Sequence, residues 1–313
     1  MSLAFSLILL GGLWLAMIGL WIVSLWRRDA SLIDLFWGAG FAAVALAVWG
    51  RLGSGGGLPA SLFLGLAVIW GLRLSLYLTW RNWGRGEDPR YQAIRQRYGQ
   101  RFPLLSLPVV FLFQGTLIWI ISWPLQRLGA IPPSSWGIAE TIGVLLWSVG
   151  FLFEAGGDWQ LARFLRQPAN RGQVLDRGFW ALTRHPNYFG DAMIWWGLSV
   201  PVLARGGREV SFLLSPLLMT WLLRRFSGVP LLERSLVERR PAYRDYIERT
   251  NAFFPGWPRR STRISEPPTR VAEMESGPEA AHRTIRLQRV GLWVLLTLIL
   301  LVLLYRWSRM GGN

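Results

Sequence analysis

The sequence predicts an all-α fold, a polytopic bundle of transmembrane helices, from three observations. Several apolar runs are long enough to cross a hydrocarbon core of about 30 Å, which takes roughly 20 helical residues. Tryptophan, present 20 times in 313 residues, recurs at or near the ends of these runs, where an interfacial aromatic belt would lie. The arginines gather in the segments between the runs, as topogenic and headgroup-facing charges do.

In chain order the first run is 3–26. No basic residue precedes it and no small-residue cleavage site follows, so it reads as a spanning helix and not a cleaved signal. Further runs at 32–49, 58–80, 107–123, 138–153, 188–203 and 212–223 bring the core to seven spans. Between the second and third, Gly53-Ser54-Gly55-Gly56-Gly57 lacks the Lys-Ser/Thr of a phosphate loop and joins no strand to a helix, so it is a flexible turn. Residues 90–101, with Tyr91, Ile94 and Tyr98 three and four apart, read either as an amphipathic helix on the headgroups or as a solvated connector. From 259 to 289 Pro, Ser, Glu and Arg predominate, which marks a disordered polar linker. An eighth apolar run at 290–307 then makes 290–313 an accessory transmembrane helix and tail, and 1–258 the membrane-embedded core domain.

The net charge of +16 comes from 34 Arg and no Lys. It raises nucleic acid as a partner, but the arginines lie between hydrophobic runs and no nucleic-acid motif accompanies them, so that partner is excluded. Alternate loops hold 27 arginines on one side and six on the other, which puts the rich side in the cytoplasm and the N-terminus outside. With no Cys there is neither disulfide nor thiolate chemistry, and with only His185 and His282 no histidine-rich metal site is expected.

The polar residues within this apolar frame are the chemical candidates. Thr183 to Gly197 sets Arg184, His185, Asn187, Tyr188 and Asp191 at the mouth of an apolar run. Pro186 suits the first turn of a helix, so Asn187, Asp191 and Trp195, four apart, share one face. A carboxylate at that depth needs a partner or a ligand; an interfacial capping cluster is the structural alternative. Arg73 and Tyr77 share a face of the third span, and Glu154 and Asp158 a face of the fifth. Asp34, at the start of the second span, is either a first-turn residue favoured by the helix dipole or part of the same pocket.

Asn187-Tyr188-Phe189-Gly190-Asp191, followed by Trp195 and Gly197, resembles the signature of the steroid 5-alpha-reductase-like family, and most closely its bacterial DUF1295 branch. The resemblance is strongest over 140–258. It implies an NADPH site in which Asp158, the Arg166 of Leu165-Arg166-Gln167-Pro168 with nearby Arg163, Asn187 and Arg224 hold the cofactor. Arg184, His185 and Tyr188 join that set. It further implies that Asp191 acts beside the nicotinamide and substrate, with Asp34 and Tyr77 as further catalytic candidates, and that Arg73 and Trp195 contact substrate. The family pattern is broken at Glu154, where an Asn is expected, and at Gly228, where a His is expected. It is broken again near Trp70, where the family has a carbonyl-polarising Tyr; an indole cannot protonate an oxygen.

The implied function is NADPH-dependent reduction of an activated carbon–carbon double bond in a lipid or steroid-like substrate. The pocket would open to the cytoplasm of an inner-membrane protein, among membrane lipids. Arg184-His185-Pro186 and Tyr188 also resemble the isoprenylcysteine carboxyl methyltransferases, so an S-adenosylmethionine-dependent membrane methyltransferase is the alternative. A non-catalytic membrane scaffold is the second.

Overall fold

The computed structural model describes residues 2–128, 135–205, 210–226, 233, 236–237, 240 and 242–259; the predicted linker past 259 and the accessory helix at 290–313 lie outside them. Among the described residues the fold is helical and holds no strand. Five helices are long and apolar enough to cross a membrane, as the sequence predicts for an integral membrane protein: α1 Leu3–Arg27, α2 Leu32–Leu52, α3 Gly57–Asn82, α4 Pro89–Ile121 and, after a short α5 (Trp123–Leu128), α6 Ile138–Arg166. A four-residue α7 (Phe179–Leu182) leads to α8 Pro186–Arg205, and then come α9 Leu214–Trp221 and α10 Tyr243–Arg249. The sixth predicted run is thus helix α8, and the seventh is a composite in which α9 is flanked by a 3-10 turn Val210–Leu213 and a π turn Leu222–Phe226.

Helix α4 also joins two predicted pieces. The stretch at 90–101 is its beginning, closed by a 3-10 turn at Gly99–Arg101, and the run at 107–123 supplies its end, opening on a π turn at Leu107–Leu112. There the Phe113 amide reaches back five residues to the Pro108 carbonyl, the wider bond of a π turn.

The chain forms two compact units. Among the described residues, one comprises those of 2–168 with 189–220, the other those of 169–188 with 221–259. In the first, helices meet where side chains are missing. A Cβ on Gly38 of α2 would strike the Gly71 carbonyl of α3, so the two backbones touch, and Ser75 Oγ accepts from the Ala39 amide at 2.7 Å. Gly143 and Gly150 of α6 face Gly197 and Gly190 of α8 in the same way: a Cβ on Gly150 would lie 2.6 Å from the Gly190 oxygen, and one on Gly197 2.6 Å from the Gly143 oxygen. Lipid tails give helices no hydrophobic reason to associate, so close backbone packing of this kind is what holds them. Arg205 Nε then reaches the buried Glu140 at 2.7 Å and closes one end of the α6–α8 pair.

The second unit is knitted around one arginine. Arg184 donates Nε and Nη2 to the two Glu233 oxygens at 2.7 and 3.2 Å, and Nη1 to the carbonyls of Ile247, at 2.9 Å, and Thr250. Its amide bonds to the Asn251 carbonyl at 2.9 Å, Thr183 Oγ to that of Phe253 at 2.9 Å, and the Gly256 amide to that of Leu182 at 2.9 Å. The segment before α8 is thereby stitched to the one that follows α10.

Candidate functional site

Arg73 lies within an apolar helix, where a cation must find a counter-charge. α3 and α6 supply it. Arg73 Nη1 bonds to Glu154 Oε1 at 2.8 Å and Nη2 to Asp158 Oδ2 at 2.6 Å. Glu154 and Asp158, four apart on α6, each present one oxygen to the same guanidinium, and each is 3% exposed. The second Glu154 oxygen accepts from Trp70 Nε1 at 2.8 Å, and Tyr77 OH donates to the Asp158 carbonyl at 3.3 Å.

The glycine seam brings a third acid close. Gly190 packs on Glu154 so tightly that a Cβ on it would lie 2.8 Å from the Glu154 Cβ, and the next residue is Asp191. The contact sets Asp191 on the part of α8 that faces the Glu154 turn of α6. Asp191 is buried, and its Oδ1 accepts no hydrogen bond from any described residue. One turn on, Trp195 is fully buried between the rings of Phe41 and Trp70, with centroids 4.6 and 5.4 Å away, and its Nε1 likewise has no described partner. A buried donor or acceptor left unmade costs about 1–3 kcal/mol, which makes these two atoms on one helix face candidates for contact with a ligand.

Beside Arg73 a cavity of about 580 Å³ opens, lined by Arg73, Tyr77, Trp80, Trp159, Arg163, Arg166 and Gln167 among others. That is within the range of small-molecule sites. Arg163 and Arg166, in the last turn of α6, have no carboxylate within ion-pair distance among the described residues; their guanidinium groups rest on the rings of Trp159 and Trp80. The residues present fit a phosphate-bearing cofactor, since two unneutralised guanidinium forks face one cavity.

The structure thus gathers Arg73, Tyr77, Arg163 and Arg166 on one cavity, with Asp158, Asp191 and Trp195 buried in the same unit. It alters several expectations. Asp158 is the counter-ion of Arg73 and does not line the cavity. Asp34 sits in the first turn of α2 with its oxygens held by Arg90 Nη2 at 2.6 Å and Tyr91 OH at 2.7 Å, which ties α2 to the start of α4. Arg184 is buried and its donors are taken by Glu233 and two carbonyls, so it is a structural tie and not an open cation. His185 Nε2 lies 3.1 Å from Glu233, and its ring stacks on Tyr188 at 5.4 Å. Asn187 Oδ1 accepts from the Tyr188 amide at 3.1 Å, and Arg224 lies over the rings of Phe253 and Phe254. These five belong to the second unit.

Comparison with known proteins agrees with the resemblance drawn from the motif. A family described as "Protein of unknown function (DUF1295)" matches residues 20–250. The chain belongs to this family. It is 26% identical over 265 residues to an uncharacterized protein of Schizosaccharomyces pombe, covering 75% of each chain. It is 31% identical over 103 residues to the delta(14)-sterol reductase of the same yeast, covering 28% of this chain and 24% of that one. Similarity to a sterol reductase is what membership of a steroid 5-alpha-reductase-like family would produce. No solved structure matches.

The reading from sequence missed Trp70, Trp80, Trp159 and Glu233 as contributors. Trp80 reads as a belt residue because its place at a span end fits that equally well, and Glu233 is separated from Arg184 by 49 positions.

Proposed function

We propose that this protein is a membrane reductase that uses NADPH to reduce an activated carbon–carbon double bond in a lipid or steroid-like substrate. The observation that carries it is the cavity in which Arg163 and Arg166 face open space beside the Arg73–Glu154–Asp158 cluster. The partial likeness to a sterol reductase supports the same class.

In this reading Arg163 and Arg166 hold phosphate oxygens at the end of α6. NADPH, when bound, supplies hydride. Arg73, fixed by two carboxylates, is a rigid wall of the cavity, so it orients what binds there at little cost in side-chain entropy. Tyr77 OH adds a polar group on the same wall. Asp191 Oδ1 and Trp195 Nε1 are the unmet acceptor and donor, and they are assigned to a polar group of the substrate; Asp191 in its protonated carboxylic acid form passes a proton to it and is left as the carboxylate. The apolar surroundings of Phe41, Trp70 and Trp195 exclude water from that position. We place the cavity on the cytoplasmic side, on the strength of the arginine asymmetry.

The methyltransferase alternative draws on Arg184, His185 and Tyr188, and the contacts of Arg184 and His185 with Glu233 bear equally on either ligand, so the choice is made by experiment. The test is ligand protection of the purified protein in detergent. NADPH at 100 times its dissociation constant stabilises by about 2.7 kcal/mol, whereas S-adenosylmethionine leaves stability unchanged. Protection by S-adenosylmethionine alone would select the methyltransferase, and protection by neither the scaffold. A lipid comparison with and without the protein then identifies substrate by a mass change of two hydrogens, against one methyl group for the alternative.

A further inference from the structure

Two tryptophans on the cavity wall do more than an interfacial belt requires. Trp80 near the end of α3 and Trp159 on α6 are 52% and 60% exposed. Each carries an arginine on its face: Arg166 Cζ lies 4.7 Å from the Trp80 ring centre, and Arg163 Cζ 5.5 Å from that of Trp159. The arrangement is repeated deeper in the cavity, where Arg73 Cζ lies 5.2 Å from the Tyr77 ring, and Tyr77 and Trp80 are neighbours at 6.0 Å. Arg73 is also held by two carboxylates; Arg163 and Arg166 rest on the rings and meet no carboxylate among the described residues.

A long arginine side chain in an exposed last turn has many rotamers, and loses that freedom when it grips a ligand. A ring face restricts it beforehand without neutralising its charge, which a carboxylate would do. The favourable interaction of a cation with the C-terminal end of α6 explains why arginines suit this turn, but acts equally on every rotamer that keeps the charge nearby. It does not explain why both guanidinium groups lie on cavity walls.

We propose that Trp80 and Trp159 are positioning residues of an anion site: they hold Arg166 and Arg163 uncompensated at the cavity, so that the two forks are set for the oxygens of a phosphate or pyrophosphate group. This rests on the reading that the cavity takes a phosphate-bearing ligand, but it requires only the anion and not the nicotinamide. The indoles act through the arginines. A cation–π contact at an exposed site is worth about two- to fivefold in an equilibrium, and more when water is excluded.

The test uses the full chain in detergent and inorganic pyrophosphate as probe, with NADPH titrated separately. Trp80→Leu is expected to weaken pyrophosphate binding by about two- to fivefold, and Trp80→Phe, which keeps a ring face, to recover most of that. In an Arg166→Ala background Trp80→Leu is expected to change affinity by less than about twofold, because the residue it positions is gone. Trp159→Leu and Arg163→Ala give the same cycle at the second position, should one variant not fold. Independent, multiplicative effects in both cycles overturn the proposal, as does a Phe variant no better than Leu, or wild-type protein that binds no pyrophosphate. Coupled pyrophosphate binding without NADPH binding leaves the proposal standing and removes the cofactor reading.

Discussion

Arg184 and Arg166 are both arginines that follow apolar segments, and the contrast between them sets a structural tie against a candidate ligand contact. Arg184 is 7% exposed, and each of its guanidinium nitrogens donates to a carboxylate or a carbonyl. Arg166 sits on a ring at the edge of a cavity with no counter-ion among the described residues. Burial with complete pairing leaves nothing to offer a ligand, whereas a charge kept unneutralised beside a cavity is able to bind one. Sequence position does not distinguish the two, because both occur in motifs the family resemblance treats as ligand-binding.

Breaking the first arginine should therefore be felt in folding. Removing one partner of a buried ion pair leaves the other uncompensated, at a cost of about 3–5 kcal/mol. Arg184→Ala is expected to lower the thermal midpoint strongly and to reduce the yield of folded protein. If Arg184→Ala were as stable as wild type but failed to bind nucleotide, Arg184 would belong to the ligand site after all.

Breaking the second should be felt in binding. Arg166→Ala removes a charge-assisted contact worth roughly 1.5–3 kcal/mol, so NADPH affinity is expected to fall about ten- to a hundredfold while thermal stability without ligand is kept. Asp191→Asn, which keeps the size but removes the charge and proton, is expected to lower turnover while NADPH affinity changes less. Equal loss of NADPH binding in both would reassign Asp191 to holding the cofactor, and no effect of either in a folded protein would remove the site.

The seam that carries Asp191 to Glu154 tests how the site is held. In Gly190→Ala the new Cβ would lie 2.5 Å from the Glu154 amide nitrogen, so α6 and α8 must part. Overpacking of this kind costs about 1–3 kcal/mol. Gly11→Ala on α1 has nothing within 4 Å of its new methyl and should be tolerated. Equal stability of the two variants would mean that the close approach of α6 and α8 is not needed.

Much of this was legible in the sequence, for reasons of range. Apolar run length gave α1 to α3 and α6 because a span is a local property, and the four-residue spacings put Glu154 with Asp158 and Arg73 with Tyr77 on helix faces that indeed meet. What spacing cannot convey is the partner across a gap. Asp34 reads as a pocket residue or a helix-dipole residue until Arg90 and Tyr91, 56 and 57 positions away, are seen to hold it. The Gly143–Gly197 and Gly150–Gly190 contacts were likewise hidden, since a glycine in an apolar helix has the same look whether or not another backbone lies against it.

The smallest effect is a pH dependence within the Arg184 group. Burial works to raise the Glu233 carboxyl, but hydrogen bonds from His185 and Arg184 and their charges outweigh it, and the net shift is downward from the ordinary 4.5. A carboxyl that binds its proton more weakly folded than unfolded contributes stability above its unfolded value, and that contribution disappears as pH falls through its folded one. The stability difference between wild type and Glu233→Gln should thus be level from neutral pH down to about 4.5 and shrink below it. Thermal unfolding of both proteins between pH 7 and pH 3, compared as a difference so that the other acids cancel, measures it. A difference that stayed constant through the acid range would show that the carboxylate charge on Glu233 contributes nothing to holding Arg184, and that the carbonyls of Ile247 and Thr250 suffice.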